Sequence, residues 1–340
     1  MFPTTRVPVV LAPMAGAGTP ALAAAVANGG GIGSFGFAYT HPSRIEADFR
    51  AARALTAGPL NANFFLFPPV AEPSAAELAT ASAALMRLEP GSSAVTQLQP
   101  PYCPDLAAQL DVVWRLRLEL LTFHLGIPSS DVMLQARSLG IRVGITATRV
   151  EEARRITEAG ADFIIAQGAE AGGHAGIFTA EDPEPWLPVL DLLRALRSAT
   201  PLPLVAAGGL MNGADIRSVL DAGAVAAQLG TAFLTTDESA ASPAHRRFLL
   251  GEPARGTVLT RGFTGRYARG IRNTFVDAMK NAETLPFPVQ GALTTALRQA
   301  AAMRDDGEHQ SLWAGTHYAR CRTGSAVDLV HTLAAELARA

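Results

Sequence analysis

Cysteine is almost absent from this chain. Its two copies in 340 residues, Cys103 and Cys321, have neither metal-ligand spacing nor the density of a disulfide framework. They read as free thiols of a reducing compartment. Charge is scarce as well, at 17% of residues with a net charge of -2. No basic run interleaves with aromatics, which argues against a nucleic-acid surface. Long apolar runs are also lacking. Val7 to Met14 is short and stops at Pro13, so it reads as a first strand rather than a secretory segment. The alanine-rich stretch from Pro20 to Ala38 is broken by five glycines and is too interrupted for a membrane span. A soluble cytoplasmic protein is the expectation. What the chain has in quantity is apolar side chains, 49% of residues, enough for a large core and too many for disorder.

The length allows two ordinary domains or one large barrel. Short apolar runs alternate with amphipathic helical patterns. Eight runs predict strands: Val7–Met14, Ile32–Phe35, Leu60–Phe65, Glu119–Phe123, Arg142–Thr146, Phe163–Gln167, Leu202–Ala207 and Val225–Gly230. Their near-continuous hydrophobicity suits strands covered on both faces, as in a parallel sheet. Helices are expected between them, several stopping at a glycine such as Gly140, Gly160 or Gly223. The fold class is therefore α/β, a (β/α)8 TIM barrel with helical insertions near its mouth. A dinucleotide-binding sheet fits poorly, because the glycines at 29, 30, 31 and 33 fall before or within the second strand. The expected organisation is a barrel over 1–236 with a helical excursion at about 68–117, an insertion or lid over 237–324, and a final helix over 325–340 that returns to the barrel.

A barrel of this kind carries its site at the carboxyl ends of the strands. The sixth strand runs into Gln167-Gly168-Ala169-Glu170-Ala171-Gly172-Gly173-His174-Ala175-Gly176. Glycines let backbone approach a ligand closely, and His174 is the side chain best suited to moving a proton near neutral pH. The seventh and eighth strands end at Gly208-Gly209 and Gly230-Thr231. Backbone amides there, with a helix N-terminus, can cradle a phosphate. Asn63, Gln167 and Gln228 place neutral amides at strand ends, suited to a heterocycle with both donors and acceptors. Phosphate cradle and amides together fit FMN. A sugar phosphate fits less well, since no lysine or acid pair is available for aldol or isomerase chemistry. Glu170 is read as orienting the loop.

The chain resembles the nitronate monooxygenase family, formerly called 2-nitropropane dioxygenases, over nearly its whole length. The resemblance rests on Ala12-Pro13-Met14-Ala15-Gly16, Asn61-Ala62-Asn63-Phe64, Thr122-Phe123-His124-Leu125-Gly126 and the Gln167 to Gly176 motif. It continues in Ala206-Ala207-Gly208-Gly209-Leu210, Gln228-Leu229-Gly230-Thr231-Ala232-Phe233 and Gly265-Arg266-Tyr267-Ala268-Arg269-Gly270-Ile271-Arg272-Asn273. It implies non-covalent FMN held by Ala12, Pro13, Met14, Asn63, Gln167, Gly172, Gly173, Gly208, Gly209, Gln228, Gly230 and Thr231. It implies His174 as catalytic base, and oxidation of alkyl nitronates by O2 to a carbonyl compound and nitrite. Propionate 3-nitronate is the family-level substrate. Tyr102 and His124 are expected to line the substrate pocket. Arg266, Arg269 and Arg272 are read as structural. Tyr267 and the segment Trp313-Ala314-Gly315-Thr316 depart from the commoner family pattern, which bears on substrate identity more than on flavin. The expected partners are a small-molecule substrate and O2, with a homodimer allowed, and neither nucleic acid nor membrane. Two other readings share the barrel: an FMN-dependent NAD(P)H reductase of enoyl thioesters or quinones, and a non-catalytic flavin-binding component.

Overall fold

The computed structural model describes residues 2–88, 95–179, 186–251 and 255–340. Parts of the expected excursion (89–94) and insertion (252–254) therefore lie outside the described residues. The barrel strands are β1 (Val9–Leu11), β2 (Gly33–Gly36), β3 (Leu60–Phe65), β4 (Leu120–His124), β5 (Arg142–Ala147) and β6 (Phe163–Gln167). After a two-residue strand β7 (Gly173–His174) come β8 (Leu204–Ala207) and β9 (Ala226–Leu229). The eight barrel strands form one parallel sheet in the order β1-β9-β8-β6-β5-β4-β3-β2. Its two edges meet: Leu11 N–H donates to Ile32 O at 2.9 Å and Ile32 N–H to Val9 O at 2.9 Å. The barrel expected from the sequence is thus observed. Proline trims the first and seventh barrel strands. β1 lies between Pro8 and Pro13, and β8 starts after Pro203, because proline cannot donate to a ladder.

The helices follow the expected alternation: α1 (Pro20–Asn28), α2 (Pro42–Leu55), α3 (Ala75–Leu88), α4 (Leu106–Leu116), α5 (Ser130–Ser138), α6 (Val150–Glu158), α7 (Val189–Arg197) and α8 (Gly213–Asp221). After β9 the chain leaves the barrel. It makes α9 (Pro243–Leu250), β10 (Thr257–Thr260), β11 (Ala268–Ile271), α10 (Thr274–Ala278) and α11 (Val289–Met303) before α12 (Ala326–Arg339). Helix α12 docks beside α1 and α8, which completes the helical ring. There Arg322 Nη1 pairs with Glu336 Oε1 at 2.7 Å, and Gly213 N–H donates to Glu336 Oε2 at 2.8 Å. Among the described residues no helix is long and apolar enough to cross a membrane.

Strand alternation sorts the side chains into layers. On β3, Leu60, Ala62 and Phe64 join the large core between strands and helices. Asn61 and Asn63 carry the opposite parity and belong to the lumen. The floor of the lumen is apolar: Val10, Ile32, Leu120, Phe163, Ile165, Val205 and Ala226 pack together, with Phe2 edge-on to Phe163 at 5.1 Å. Higher up it becomes polar. Asn61 Nδ2 donates to Ser34 Oγ (3.2 Å) and Thr122 Oγ1 (3.0 Å), and Asn63 Nδ2 donates to the same Thr122 oxygen at 3.0 Å.

Candidate active site

Alternation places Phe65, His124, Thr146, Gln167 and Gln228 at the carboxyl ends of the strands with lumen parity. His124 is buried. Its Nε2 donates to the carbonyl of His174 at 3.0 Å, and its Nδ1 lies 3.0 Å from Thr146 Oγ1. A carbonyl can only accept, so Nε2 carries the proton and Nδ1 accepts from the threonine. Burial pushes this imidazole down to about 4. His124 was expected to wall the pocket. The structure makes it a strut under the backbone of His174, stacked on Phe65 at 5.4 Å.

The glycine-rich loop is pinned rather than loose. Gln167 Nε2 donates to His174 O at 3.0 Å, and Gln167 Oε1 accepts from Gly176 N–H at 2.7 Å. Both ends of this amide thus serve the loop, with one N–H left over. Glu170 accepts Val189 N–H at 3.0 Å and so caps α7, consistent with its expected orienting role. Gly173 and His174 form β7 and pair antiparallel with Arg269 and Ala268 of β11, which itself pairs with β10. This three-stranded sheet was not expected. A two-residue strand has no periodicity, and its partner lies far along the chain. Arg266 donates to Ile177 O, and Arg269 Nε donates to Ala169 O at 3.0 Å. Both therefore brace the loop, while Arg272 pairs with Asp277 at 2.7 Å.

The ring of His174 sits in an aromatic box. Phe65 lies 5.3 Å away edge-on, Phe287 5.7 Å and Trp313 5.7 Å. Phe67 stacks on Phe287 at 5.3 Å, and Tyr39 stands 5.2 Å from Phe67. His174 Nε2 lies 3.0 Å from Thr264 Oγ1. Burial, then the electrostatic influence of His124, Arg266 and Arg298, pushes the imidazole down to about 3, so it is neutral at physiological pH. Arg298 of α11 bonds only Thr294, Thr295 and the carbonyl of Gly291; among the described residues it has no carboxylate partner. Burial lowers its pKa, and its charge bears on both Tyr39 and His174. Sequence reading missed Thr264, Phe287 and Arg298, and it marked Trp313 only as part of a segment bearing on substrate identity. Their signal lies in the insertion, where no periodicity marks a site.

The remaining expected residues ring the mouth. Ala12 N–H donates to Leu229 O at 2.8 Å, which leads Ala12, Pro13 and Met14 over the end of β9. A Cβ on Gly230 would stand 3.1 Å from Ala12 Cβ and 3.6 Å from Met14 Sδ. Thr231 Oγ1 accepts Gly315 N–H at 3.0 Å. Gly208 and Gly209 both have positive φ, and Gly209 O lies 2.7 Å from His317 Nδ1. A Cβ on Gly172 would fall 2.5 Å from the carbonyl carbon of Ala314, so this glycine has a packing reason within the chain. Gly173 (φ +76) differs: nothing lies within 4 Å of where a Cβ would stand. Tyr102 packs on a second core cluster beside α3 with its hydroxyl sealed in, and its ring is not among those touching His174. Cys321 donates to Thr231 O at 3.2 Å, and both cysteines are free thiols.

A flavin fits this donor set. The Gln228 amide and Asn63 Oδ1 bond no described residue, yet neither is sealed from the surface. Unclaimed amides at strand ends, open space beside Gly173 and the 3-10 turn that starts at Thr231 supply ring contacts and free N–H groups. Such a barrel, with unclaimed amides and a neutral histidine at its mouth, suits a flavin-dependent oxidoreductase.

The comparisons narrow the class. The profile of the nitronate monooxygenase family matches residues 2–336, and the chain belongs to that family. It is 39% identical to a nitronate monooxygenase of Pseudomonas aeruginosa over 97% of this chain and 96% of that protein. It is 38% identical to one from Paraburkholderia phytofirmans over 97% of this chain and 92% of that protein. A solved nitroalkane oxidase from Streptomyces ansochromogenes superposes with a TM-score of 0.89 at 37% identity, covering 98% of this chain and 96% of that one. FabK from Thermotoga maritima shares the fold, with a TM-score of 0.75 at 23% identity over 98% of this chain and 94% of that one. The chain is an oxidoreductase of nitronates, and its family implies a flavin cofactor.

Proposed function

We propose that the flavin is FMN and that this cytoplasmic enzyme oxidises alkyl nitronates with O2 to a carbonyl compound and nitrite. Ala12, Pro13, Met14, Asn63, Gln167, Gly172, Gly173, Gly208, Gly209, Gln228, Gly230 and Thr231 hold the cofactor. The insertion over 237–324 acts as a lid. Bound FMN supplies the electron acceptor, and the protein binds and orients the donor. The observation that carries this reading is Arg298, a desolvated cation with no carboxylate partner among the described residues, whose charge bears on both His174 and Tyr39. A desolvated, unpaired guanidinium is a site for an anion, and a nitronate is one. A neutral nitroalkane gains less from it and must first lose its α-proton. His174 is the base for that step, held neutral by burial and by the neighbouring charges. A depressed pKa keeps the imidazole unprotonated but makes it a weak base, so nitronates are the better substrates.

The test is oxygen uptake by the FMN-saturated protein on propionate 3-nitronate, without NADH. Uptake with nitrite release supports the assignment, and no uptake overturns it. His174→Ala is expected to slow nitroalkane turnover on the order of a hundredfold, the usual scale of general-base catalysis, and nitronate turnover far less. Equal losses on both substrates would remove the base role.

A further inference from the structure

His174 has two ring nitrogens, and a base role requires that the one facing the substrate carry the lone pair. We propose that Thr264 sets this choice: its hydroxyl holds His174 as the Nε2–H tautomer and leaves Nδ1 as the working nitrogen. The proposal rests on His174 being the base.

Thr264 is buried, at 5% exposure, on the turn before β11. Its oxygen lies 3.0 Å from His174 Nε2 and 3.2 Å from the carbonyl of Arg266. The hydroxyl has one proton, and the Arg266 carbonyl can only accept. If Nε2 carries a proton, it donates to the hydroxyl and the hydroxyl donates to the carbonyl, so two hydrogen bonds form. If Nε2 is bare, the hydroxyl must choose between the ring and the carbonyl, and one bond is lost. Each bond missed in a desolvated site has a cost, so the Nε2–H form prevails.

The other nitrogen completes the case. Nδ1 of His174 has no hydrogen-bond partner among the described residues, yet it is not among the sealed polar atoms. It is therefore the ring nitrogen left accessible, on an imidazole flanked by Phe65, Phe287 and Trp313. The backbone cannot change this arrangement. His174 O already accepts from His124 and Gln167, and β7 is paired to β11. Only the side-chain torsions remain, and the Thr264 contact holds them. In the base step the lone pair of Nδ1 takes the α-proton. The C–H bond breaks, its electron pair stays on the substrate as the nitronate, and the imidazolium keeps Nε2–H on Thr264. Thr264 is a positioning residue, since it acts through His174.

The test is the ring 15N–1H spectrum of 15N-histidine-labelled, flavin-loaded protein, with His174 assigned by its loss in His174→Gln. Wild type is expected to show pyrrole-like Nε2 and pyridine-like Nδ1. Thr264→Val, which removes only the hydroxyl, should drive the ring toward a tautomer mixture. Thr264→Ser should restore the wild-type pattern and keeps the test open if the valine variant folds poorly. Nitroalkane kcat/KM should fall about tenfold in Thr264→Val, part of the range that base catalysis supplies, and recover in Thr264→Ser. An Nδ1–H tautomer in wild type, or an unchanged tautomer in Thr264→Val, overturns the proposal. The base reading fails separately, through equal losses on both substrates in His174→Ala, and the spectrum is read without any substrate.

Discussion

His174 is held from two sides that differ in kind. The barrel side, through His124 and Gln167, grips its backbone carbonyl with two donors, each at 3.0 Å. The insertion side holds most of its ring, through Thr264 at 3.0 Å and the tilted rings of Phe287 and Trp313, while from the barrel only Phe65 of β3 meets it edge-on. The barrel side grows out of a closed parallel sheet, where strand parity decides which side chains reach the lumen. The insertion side is assembled from α11, β11 and the segment around Trp313, none of them adjacent in sequence to β6. The difference teaches that position and chemistry are specified separately. The barrel fixes where the histidine stands. The insertion fixes which nitrogen works and which charge it faces.

The widest test of this division is acid. His124 and His245 are buried with pKa values of about 4, set mainly by desolvation, and His174 is lowered in the same way. Their folded values lie below the unfolded one, so the unfolded chain binds more protons between about pH 6.5 and 4. Stability is therefore expected to fall as pH drops through that window, with a slope approaching about 1.4 kcal/mol per pH unit for each fully buried imidazole. Urea midpoints measured from pH 7 to 4.5 check this, and a flat profile would show that the imidazoles protonate without opening the barrel. Replacing His124 by leucine attacks the barrel side alone. It removes the bonds to Thr146 and His174 O from a buried site, and a loss of about 2 kcal/mol is expected in the same unfolding assay. Arg298→Met attacks the insertion side alone. KM for an anionic nitronate should rise about tenfold, the scale of one charge-assisted contact. The urea midpoint should fall by less than in the His124 variant, because among the described residues Arg298 makes no ion pair and bonds only within its own helix. A fall in stability larger than that of the His124 variant would reverse the assignment of the two sides.

Much of the barrel was legible from local pattern. Phe163–Gln167 and Leu60–Phe65 were read to the residue, because apolar runs and the turn residues that bound them act over a few residues. The strand ends pointed to His174, Asn63 and Gln228 for the same reason. What was not legible depends on contacts across the chain. The pairing of Gly173 with Arg269, the sealing of Tyr102 beside α3 and the approach of Ala314 to Gly172 leave no periodic trace. His124 shows the boundary between the two. Its position at a strand end was readable, but its use as a strut under the His174 carbonyl was not.

By itself the sequence determined a (β/α)8 barrel, the strand end that carries the histidine, and the neutral amides that suit a flavin. These follow from strand parity, helix periodicity and glycine stops, all of which act within one βα unit. Only the tertiary structure decided the state of that histidine. Its neutrality comes from rings and cations contributed by β3, β4 and the insertion, and its tautomer from a hydroxyl 90 residues away. Desolvation and hydrogen-bond partnership belong to the assembled site, and no local run of residues encodes them.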